Sequence, residues 1–384
     1  MRISYSWLKE FLPELPAAEL VAEHLTMHGL EVESVIDQSA GLTTIVVGEV
    51  LTVEKHPQAD KLNCTTVNVG QEKPLSIICG APNVTVGMKA PVALIGTTLP
   101  NGMTIERRPI RGIPSEGMMC AEDELGLGAN HEGLLVLPEE SRPGQSFVEV
   151  MGFDDVVLDI SIPSNRADLM SVRGLAREIG AILGIEVRWP TVPTLKEKPG
   201  RSTWKPIIDA GTKASVFAVQ AMSGITMNPT PAYIVRRLRA SGIRSVNVIV
   251  DCTNYVMIEY GQPMHAYDAT TLHGNELTVR TIQKAVDVVT LDGETHAVPA
   301  GSLIIADQDQ VAGIAGVMGA KATEVRPDTT SIVLEAGIFD GPSIRTTARA
   351  MKNLTESSRR FEHGLWPSSP RTALEVARGL LVSI

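Results

Sequence analysis

A multidomain α+β fold is predicted by three features of this 384-residue sequence. Short β-rich runs crowd residues 43–137, at the close spacing of a small barrel or sandwich. Helical periodicity flanks that region on both sides. From about residue 203 onward, helices and strands are mixed. At roughly 150 residues per domain the length allows two or three domains. The expected division is a small helical/αβ unit made of 1–40 and 152–190, split by an inserted β-barrel over 41–151. A linker at 191–202 and a mixed α+β domain over 203–384 follow.

Ser6 is expected to cap a short helix bearing Trp7, Leu8 and Phe11, which Pro13 stops. Pro16 suits the first turn of a second helix carrying Leu20, Val21, His24, Leu25 and His28, with Gly29 as its C-terminal cap. His24 and His28 have the four-residue spacing of zinc ligands. A zinc site needs a fuller ligand set, so a packed or surface pair is expected and no metal site is predicted. The runs TTIVVGEVLTVEKH, LNCTTVNVG, LSIICG, APVALIG and TIERRPIRG then read as strands. Five of them make a five-stranded oligonucleotide-binding (OB) barrel the leading candidate. LDISIP is a strand. After it, Val172, Leu175, Ala176, Ile179, Ile182 and Leu183 share one helical face, and Gly184 ends that helix. VRWPTVPTLKEKPG, rich in proline, reads as a linker. Beyond it, Pro231 opens a helix with Arg236, Arg237 and Arg239, which Gly242 closes; LTVRTI, DVVTL, LIIADQ and SIVLEAG are strands. The last helix, with Pro370 in its first turn, ends in the apolar LLVSI, expected to pack on another surface or run into a further module.

A net charge of −10, 43% hydrophobic and 20% charged residues exclude disorder and coiled coil as descriptions of the whole chain. No run of ~18 apolar residues is present to span a membrane as a helix. The first residues lack the apolar core of a secretion signal, so a cytoplasmic location is expected. Cys64, Cys79, Cys120 and Cys252 form no CxxC pair and read as free thiols. The acidic total argues against indiscriminate binding to nucleic acid but leaves room for a local basic patch. Lys55, His56, Lys61, Arg107, Arg108 and Arg111 are the phosphate candidates on the barrel, with solvated surface charges as the alternative. Arg236, Arg237 and Arg239 cannot all share one helical face, which weakens them as a second stripe. With 4% aromatics, no broad base-stacking platform is predicted. Neither DNA nor a membrane is an expected partner.

Short catalytic motifs are missing: there is no Walker A, GxGxxG, HExxH or GxSxG. GIAGVMGA (313–320) reads as tight backbone that lets a ligand or a strand approach closely. Longer stretches are more informative. In the barrel region they are GEVLTVEKHPQADKLNCTTVNVG, ICGAPNV and RGIPSEGMMCAEDELGL. After it come PSNRADLMSVRGLAREIGAILG, VDCTNYVMIEYGQPMHAYD, GIAGVMGA, SIVLEAGIFDGPSIRTTARAM and ESSRRFEHG. The first set resembles the tRNA-binding OB module of synthetase-associated proteins. Together, in the same order over nearly the whole chain, they closely resemble the N-terminal half of the bacterial phenylalanyl-tRNA synthetase β subunit.

The resemblance implies a chain that binds phenylalanine tRNA and a catalytic α subunit, in an α2β2 tetramer. Aminoacylation resides in α, and ATP and magnesium belong to the full synthetase, with no cofactor in this chain. The central B3/B4-type module would hydrolyse tRNA mischarged with tyrosine. A pocket selected for phenylalanine cannot strongly reject an analogue that adds a hydroxyl, so a second site must read that hydroxyl. By the same resemblance Glu335 in SIVLEAG reads the phenol, His265 in GQPMHAYD orients water or the terminal adenosine, and Asn254 in CTNYV fixes water or ester oxygen. Thr253, Arg244, Gly316, Gly319, Thr355 and Ser357 are the implied substrate-binding residues. Positioned water, rather than a covalent nucleophile, is the implied mechanism. Ser357 stands where the family often has Ala, and Ala320 where Gly is common; both are expected to narrow the pocket. The alternative is a non-catalytic tRNA-binding or assembly piece with a degenerate pocket. The family's catalytic-like core, its anticodon-binding module and its magnesium-binding carboxylates have no counterpart in these residues.

Overall fold

Ser4, rather than Ser6, caps the first helix. In the computed structural model, which describes residues 1–128, 130–190 and 203–384, a short strand β1 (Arg2–Ser4) runs straight into α1 (Tyr5–Phe11). The last strand residue is therefore the extended N-cap, and Ser4 Oγ accepts the Trp7 N–H at 3.0 Å. Helix α2 (Ala18–Met27) follows, with Gly29 in the left-handed region just past its end, and then β2 (Val32–Asp37). By Cα proximity the chain forms two units, Met1–Ile36 with Val157–Ile384, and Asp37–Val156. The second is thus an insertion in the first. The expected linker at 191–202 lies outside the described residues.

The inserted unit contains β3 (Ile45–Lys55), β4 (Asn63–Asn68), β5 (Leu75–Cys79), β6 (Lys89–Leu94), β7 (Arg108–Ile110), β8 (Ile113–Ser115), β9 (Gly117–Met119) and α3 (Phe147–Met151). Its main sheet has the order β5-β4-β3-β6-β9. Glu116 N–H donates to Ser76 O (2.8 Å) and Ile78 N–H to Ser115 Oγ (3.1 Å), which draws the two edges together and nearly closes the barrel. Val50, Val67, Ile77, Ala90, Val92 and Met119 fill the interior. Gly48 is required there: a Cβ would fall 2.4 Å from Val92 Cγ2 and 2.7 Å from Val67 Cγ1. The TIERRPIRG run is no barrel strand. It gives β7, which pairs with β8 as a separate hairpin turning at Arg111 and Gly112, both at positive φ.

The first unit resumes with β10 (Val156–Ile160), completing the sheet β1-β10-β2, and α4 (Val172–Leu183). Ser171 caps α4 and Gly184 ends it in the left-handed region. Next come β11 (Lys205–Asp209), β12 (Ala214–Ser223), α5 (Ala232–Ala240), α6 (Val248–Tyr260), β13 (Met264–Asp268), β14 (Glu276–Thr281), β15 (Val286–Val289) and β16 (Thr295–Val298). The unit ends with β17 (Leu303–Ala306), β18 (Val311–Ile314), β19 (Met318–Gly319), β20 (Ser331–Phe339), α7 (Gly341–Ala350), α8 (Glu356–His363) and α9 (Ser369–Ser383). A five-stranded sheet, β11-β14-β17-β18-β19, shares one core with an antiparallel three-stranded sheet, β12-β20-β13. Phe217, Tyr267, Val279, Ile305, Val333, Phe339 and Phe361 lie in that core.

The N-terminal helices and the last module form one unit because aromatic and arginine side chains bind them together. The Trp7 ring, 1% exposed, stacks on Tyr255 of α6 with centroids 4.9 Å apart. Arg237 of α5 lies 4.8 Å from the Trp7 centroid, donates to Tyr255 Oη at 2.7 Å and pairs with Glu10. Arg173 of α4 sits 4.5 Å from the Tyr260 centroid and 4.9 Å from that of Trp189, and bonds Glu259 at 3.1 Å. Of the three arginines on α5, Arg237 is thus occupied by packing. Trp189, at the start of the proline-rich run, also packs edge-on against Phe11, and Arg188 N–H donates to Phe11 O at 2.8 Å. That part of the run belongs to the packed unit. Cys79, Cys120 and Cys252 are buried, Cys64 is partly exposed, and all four are free thiols.

Candidate active site

Strand alternation puts the chemistry of one pocket on a single face. Residues i and i+2 of a strand share a face, so His265 and Tyr267 of β13 point the same way. In the β13–β20 register His265 lies directly opposite Glu335, and Tyr267 opposite Val333. His265, Tyr267 and Glu335 line a cavity of about 210 Å³. Helix α6 supplies Thr253 and Asn254, the β18–β19 hairpin supplies Gly313, Gly316 and Gly319, and α8 supplies Ser357 and Phe361. A cavity near 150 Å³ already admits a benzene ring. This one therefore has the size for a single aromatic side chain.

Glu335 is 5% exposed, and burial pushes its carboxyl up to about 7. Tyr267, 1% exposed, donates its phenolic O–H to Glu335 Oε2, which opposes that rise. Burial, with the carboxylate beside it, holds the Tyr267 phenol far above its usual range, so it remains a donor. The His265 ring is partly open to the cavity and meets Tyr267 edge-on, with centroids 4.6 Å apart. Burial pushes His265 down to about 4, so the imidazole is neutral at pH 7. Its Nε2 is enclosed and, among the described residues, has no hydrogen-bond partner. An enclosed ring nitrogen without a partner beside a cavity is a place for a water or a ligand group.

The glycines of GIAGVMGA are there for close approach. A Cβ on Gly319 would lie 2.4 Å from His265 Cε1 and 2.5 Å from Nε2. One on Gly316 would lie 2.8 Å from Phe361 Cδ2, and Gly316 has a φ of +68°. Amides of the segment are used within the fold: Val317 N–H donates to Ile314 O, Ala320 N–H to Ala312 O and Ala315 N–H to Leu303 O, beside the β18–β19 pairing. Ser357 Oγ donates to Gly316 O at 3.1 Å and so pins the hairpin turn to α8. Thr355 does not line the cavity. It caps α8, accepting Ser358 N–H at 3.1 Å and donating to Val317 O at 3.2 Å. Arg244 is exposed between α5 and α6 and does not line the cavity either. Ala320 is buried outside the lining, whereas Ser357 is part of it. Tyr267 and Phe361 are among the pocket residues that sequence reasoning missed, with Val250, Leu291 and Ile305 also in the lining. For Tyr267 the signal was the alternation in MHAYD.

On the barrel, Lys55, Lys61, Arg107, Arg108 and Arg111 are all exposed. Arg107 pairs with Glu116 at 3.0 Å. His56 is 5% exposed, with Nδ1 accepting Gln58 N–H (3.1 Å) and Nε2 facing Ile110 O (3.3 Å). That bonding gives the Nε2–H tautomer and ties the loop carrying Lys61 to the hairpin carrying Arg108 and Arg111. His24 and His28 sit 6.4 Å apart between ring centroids. Among the described residues no three His, Cys, Asp or Glu side chains gather as a metal-holding group, and no helix is long and apolar enough to cross a membrane.

Comparison with known proteins agrees with both halves of this picture. Residues 45–146 match the family described as a tRNA binding domain, and residues 213–384 match the B3/4 domain family. An OB barrel inserted ahead of a B3/4 module that carries a pocket defines the class. The phenylalanine–tRNA ligase β subunit of Nitratidesulfovibrio vulgaris is 43% identical over 367 residues, covering 95% of this chain and 46% of that protein. The same subunit of Anaeromyxobacter dehalogenans is 40% identical over 386 residues, covering 100% of this chain and 48% of that protein. A solved N-terminal fragment of the Pyrococcus horikoshii phenylalanyl-tRNA synthetase β subunit is 14% identical with a TM-score of 0.31, covering 53% of this chain and 62% of that one. The chain belongs to the phenylalanine–tRNA ligase β-subunit family. It spans about half the length of the curated relatives it matches.

Proposed function

We propose that this chain acts in phenylalanine–tRNA ligase by binding phenylalanine tRNA and hydrolysing the ester when tyrosine has been attached in error. The observation that carries the reading is the meeting of Glu335 and the unpartnered His265 Nε2 in a cavity sized for one aromatic ring. An incoming tyrosine phenol donates to Glu335. Phenylalanine leaves that carboxylate without the bond, and sites built to read a hydroxyl reject its absence by roughly 10⁴–10⁵. Neutral His265 accepts a proton from, or orients, a water at the ester carbonyl, and Asn254 on α6 holds that water or the carbonyl oxygen. No covalent intermediate is required.

The barrel carries the tRNA contact in this reading, through Lys55, Lys61, Arg108 and Arg111, with Arg107 partly neutralised by Glu116. The catalytic α subunit, in an α2β2 assembly, is the protein partner, and ATP and magnesium are assigned to the full synthetase rather than to this chain. A cytoplasmic location follows from that role. The test is hydrolysis of tyrosyl and phenylalanyl esters of phenylalanine tRNA by this chain, beside Glu335→Ala and His265→Ala. Selective loss of the tyrosyl ester, with selectivity lost in Glu335→Ala and rate lost in His265→Ala, supports the reading. No hydrolysis by a folded, tRNA-binding chain supports the assembly role instead.

A further inference from the structure

Glu335 already carries a phenol of the protein's own. Tyr267 is a diagonal neighbour of Glu335 on the same sheet face, opposite Val333, at a separation that long side chains bridge. Its O–H donates to Oε2. Other groups lie close around that phenol. The His265 ring packs edge-on against Tyr267 at 4.6 Å, and a Cβ on Gly313 would lie 3.7 Å from the Tyr267 hydroxyl. A carboxylate offers about four acceptor positions. Among the described residues Tyr267 is the hydrogen-bond partner of Glu335, and Glu335 still lines the cavity.

We propose that Tyr267 is the positioning residue for phenol recognition: by holding Oε2 it fixes the Glu335 carboxylate so that Oε1 presents an acceptor to a ligand phenol. This rests on the editing reading of the pocket. The bond has an electrostatic consequence. Burial favours the neutral acid, and the Tyr267 O–H opposes that, keeping the carboxylate available as an acceptor near neutral pH. Without the phenol, Glu335 takes up a proton at higher pH. A protonated acid donates as well as accepts, so it penalises phenylalanine less. Few other groups disturb this balance. Facing Glu335 are His265 and Tyr267 from β13, Val219 across on β12, Thr253 and Asn254 from α6, Ser357 from α8, and glycines and Met318 from the hairpin. Of these only His265 and Tyr267 titrate, and His265 stays neutral above pH 5.

The experiment compares this chain with Tyr267→Phe and Glu335→Gln between pH 5.5 and 8.5. It measures kcat and KM for tyrosyl and phenylalanyl esters of phenylalanine tRNA, and follows the Glu335 carboxyl by ¹³C NMR. For Tyr267→Phe the expected result is a tyrosyl preference at pH 7 reduced about tenfold or more, chiefly through KM, as for loss of support to a charge-assisted bond. The preference returns as pH rises, and the Glu335 titration moves upward. Glu335→Gln loses the preference at every pH. Three results overturn the proposal. If Tyr267→Phe leaves preference and titration unchanged while Glu335→Gln loses the preference, the editing reading stands and Tyr267 is only structural. If Tyr267→Phe raises the preference, the internal phenol competes with the ligand. If the wild-type chain hydrolyses neither ester, the editing reading fails and the proposal with it, even where the NMR shift shows that Tyr267 holds the carboxylate.

Discussion

Gly319→Ala should disable the pocket while leaving the fold standing. An added Cβ would fall 2.4 Å from His265 Cε1 and 2.5 Å from Nε2. Carbon atoms rest at about 3.5–4.0 Å, so the ring must move by about 1 Å. Tyr267 blocks one direction, with its ring centroid 4.6 Å away, and the cavity is the open side. The imidazole is therefore pushed into a space of only about 210 Å³. Overpacking of this kind costs about 1–3 kcal/mol. A 1 Å misplacement at a reacting centre costs roughly 10²-fold in rate. Backbone strain does not enter, because Gly319 is not at positive φ. The assay is tyrosyl-ester hydrolysis together with urea unfolding. Gly80→Ala serves as control, since its Cβ would make an ordinary 3.4 Å contact with Leu62 Cδ2. A folded Gly319→Ala chain with unchanged kcat and KM would refute the assignment of His265 to the chemistry.

Trp7→Ala should destabilise the unit formed by Met1–Ile36 and Val157–Ile384 by about 3–5 kcal/mol, because the ring is fully buried between Tyr255 and Arg237. Urea unfolding reads this, and a loss below about 1 kcal/mol would mean that the stack contributes little. On the barrel, Arg108→Ala, Arg111→Ala and Lys61→Ala should each weaken tRNA binding and lower the salt slope by roughly 0.7–0.9. Arg107→Ala should change the slope less, since Glu116 already pairs with it. Binding titrations at several salt concentrations decide this, and slopes that do not change would make these residues ordinary surface charge.

Where sequence and structure agree, local chemistry decides the outcome. The barrel strands were legible because β-branched runs alternate with turn residues, and α4 because its apolar face and the Ser171 and Gly184 caps are all local signals. Where they part, the deciding contacts are distant in sequence. No local pattern announces that Trp7 stacks on Tyr255, or that Arg237 is consumed between them, and those contacts are what merge two expected domains into one unit. β1 is only three residues long and is made by pairing with β10, so Ser6 looked like the better cap. The motif residues Glu335, His265 and Asn254 do converge, because their strands and α6 are adjacent. Thr355 and Arg244 lie just outside those motifs and are kept away from the cavity, the one as a helix cap and the other on an exposed loop.

The most direct test of the central claim is the ratio of tyrosyl to phenylalanyl ester hydrolysis in wild type and Glu335→Gln at pH 7.5. The substitution keeps size and removes the charge. If Glu335 reads the phenol, wild type strongly prefers the tyrosyl ester and the folded variant loses at least about tenfold of that preference, the scale of one hydrogen bond to a charged group. An unchanged ratio in a folded Glu335→Gln chain would contradict the account.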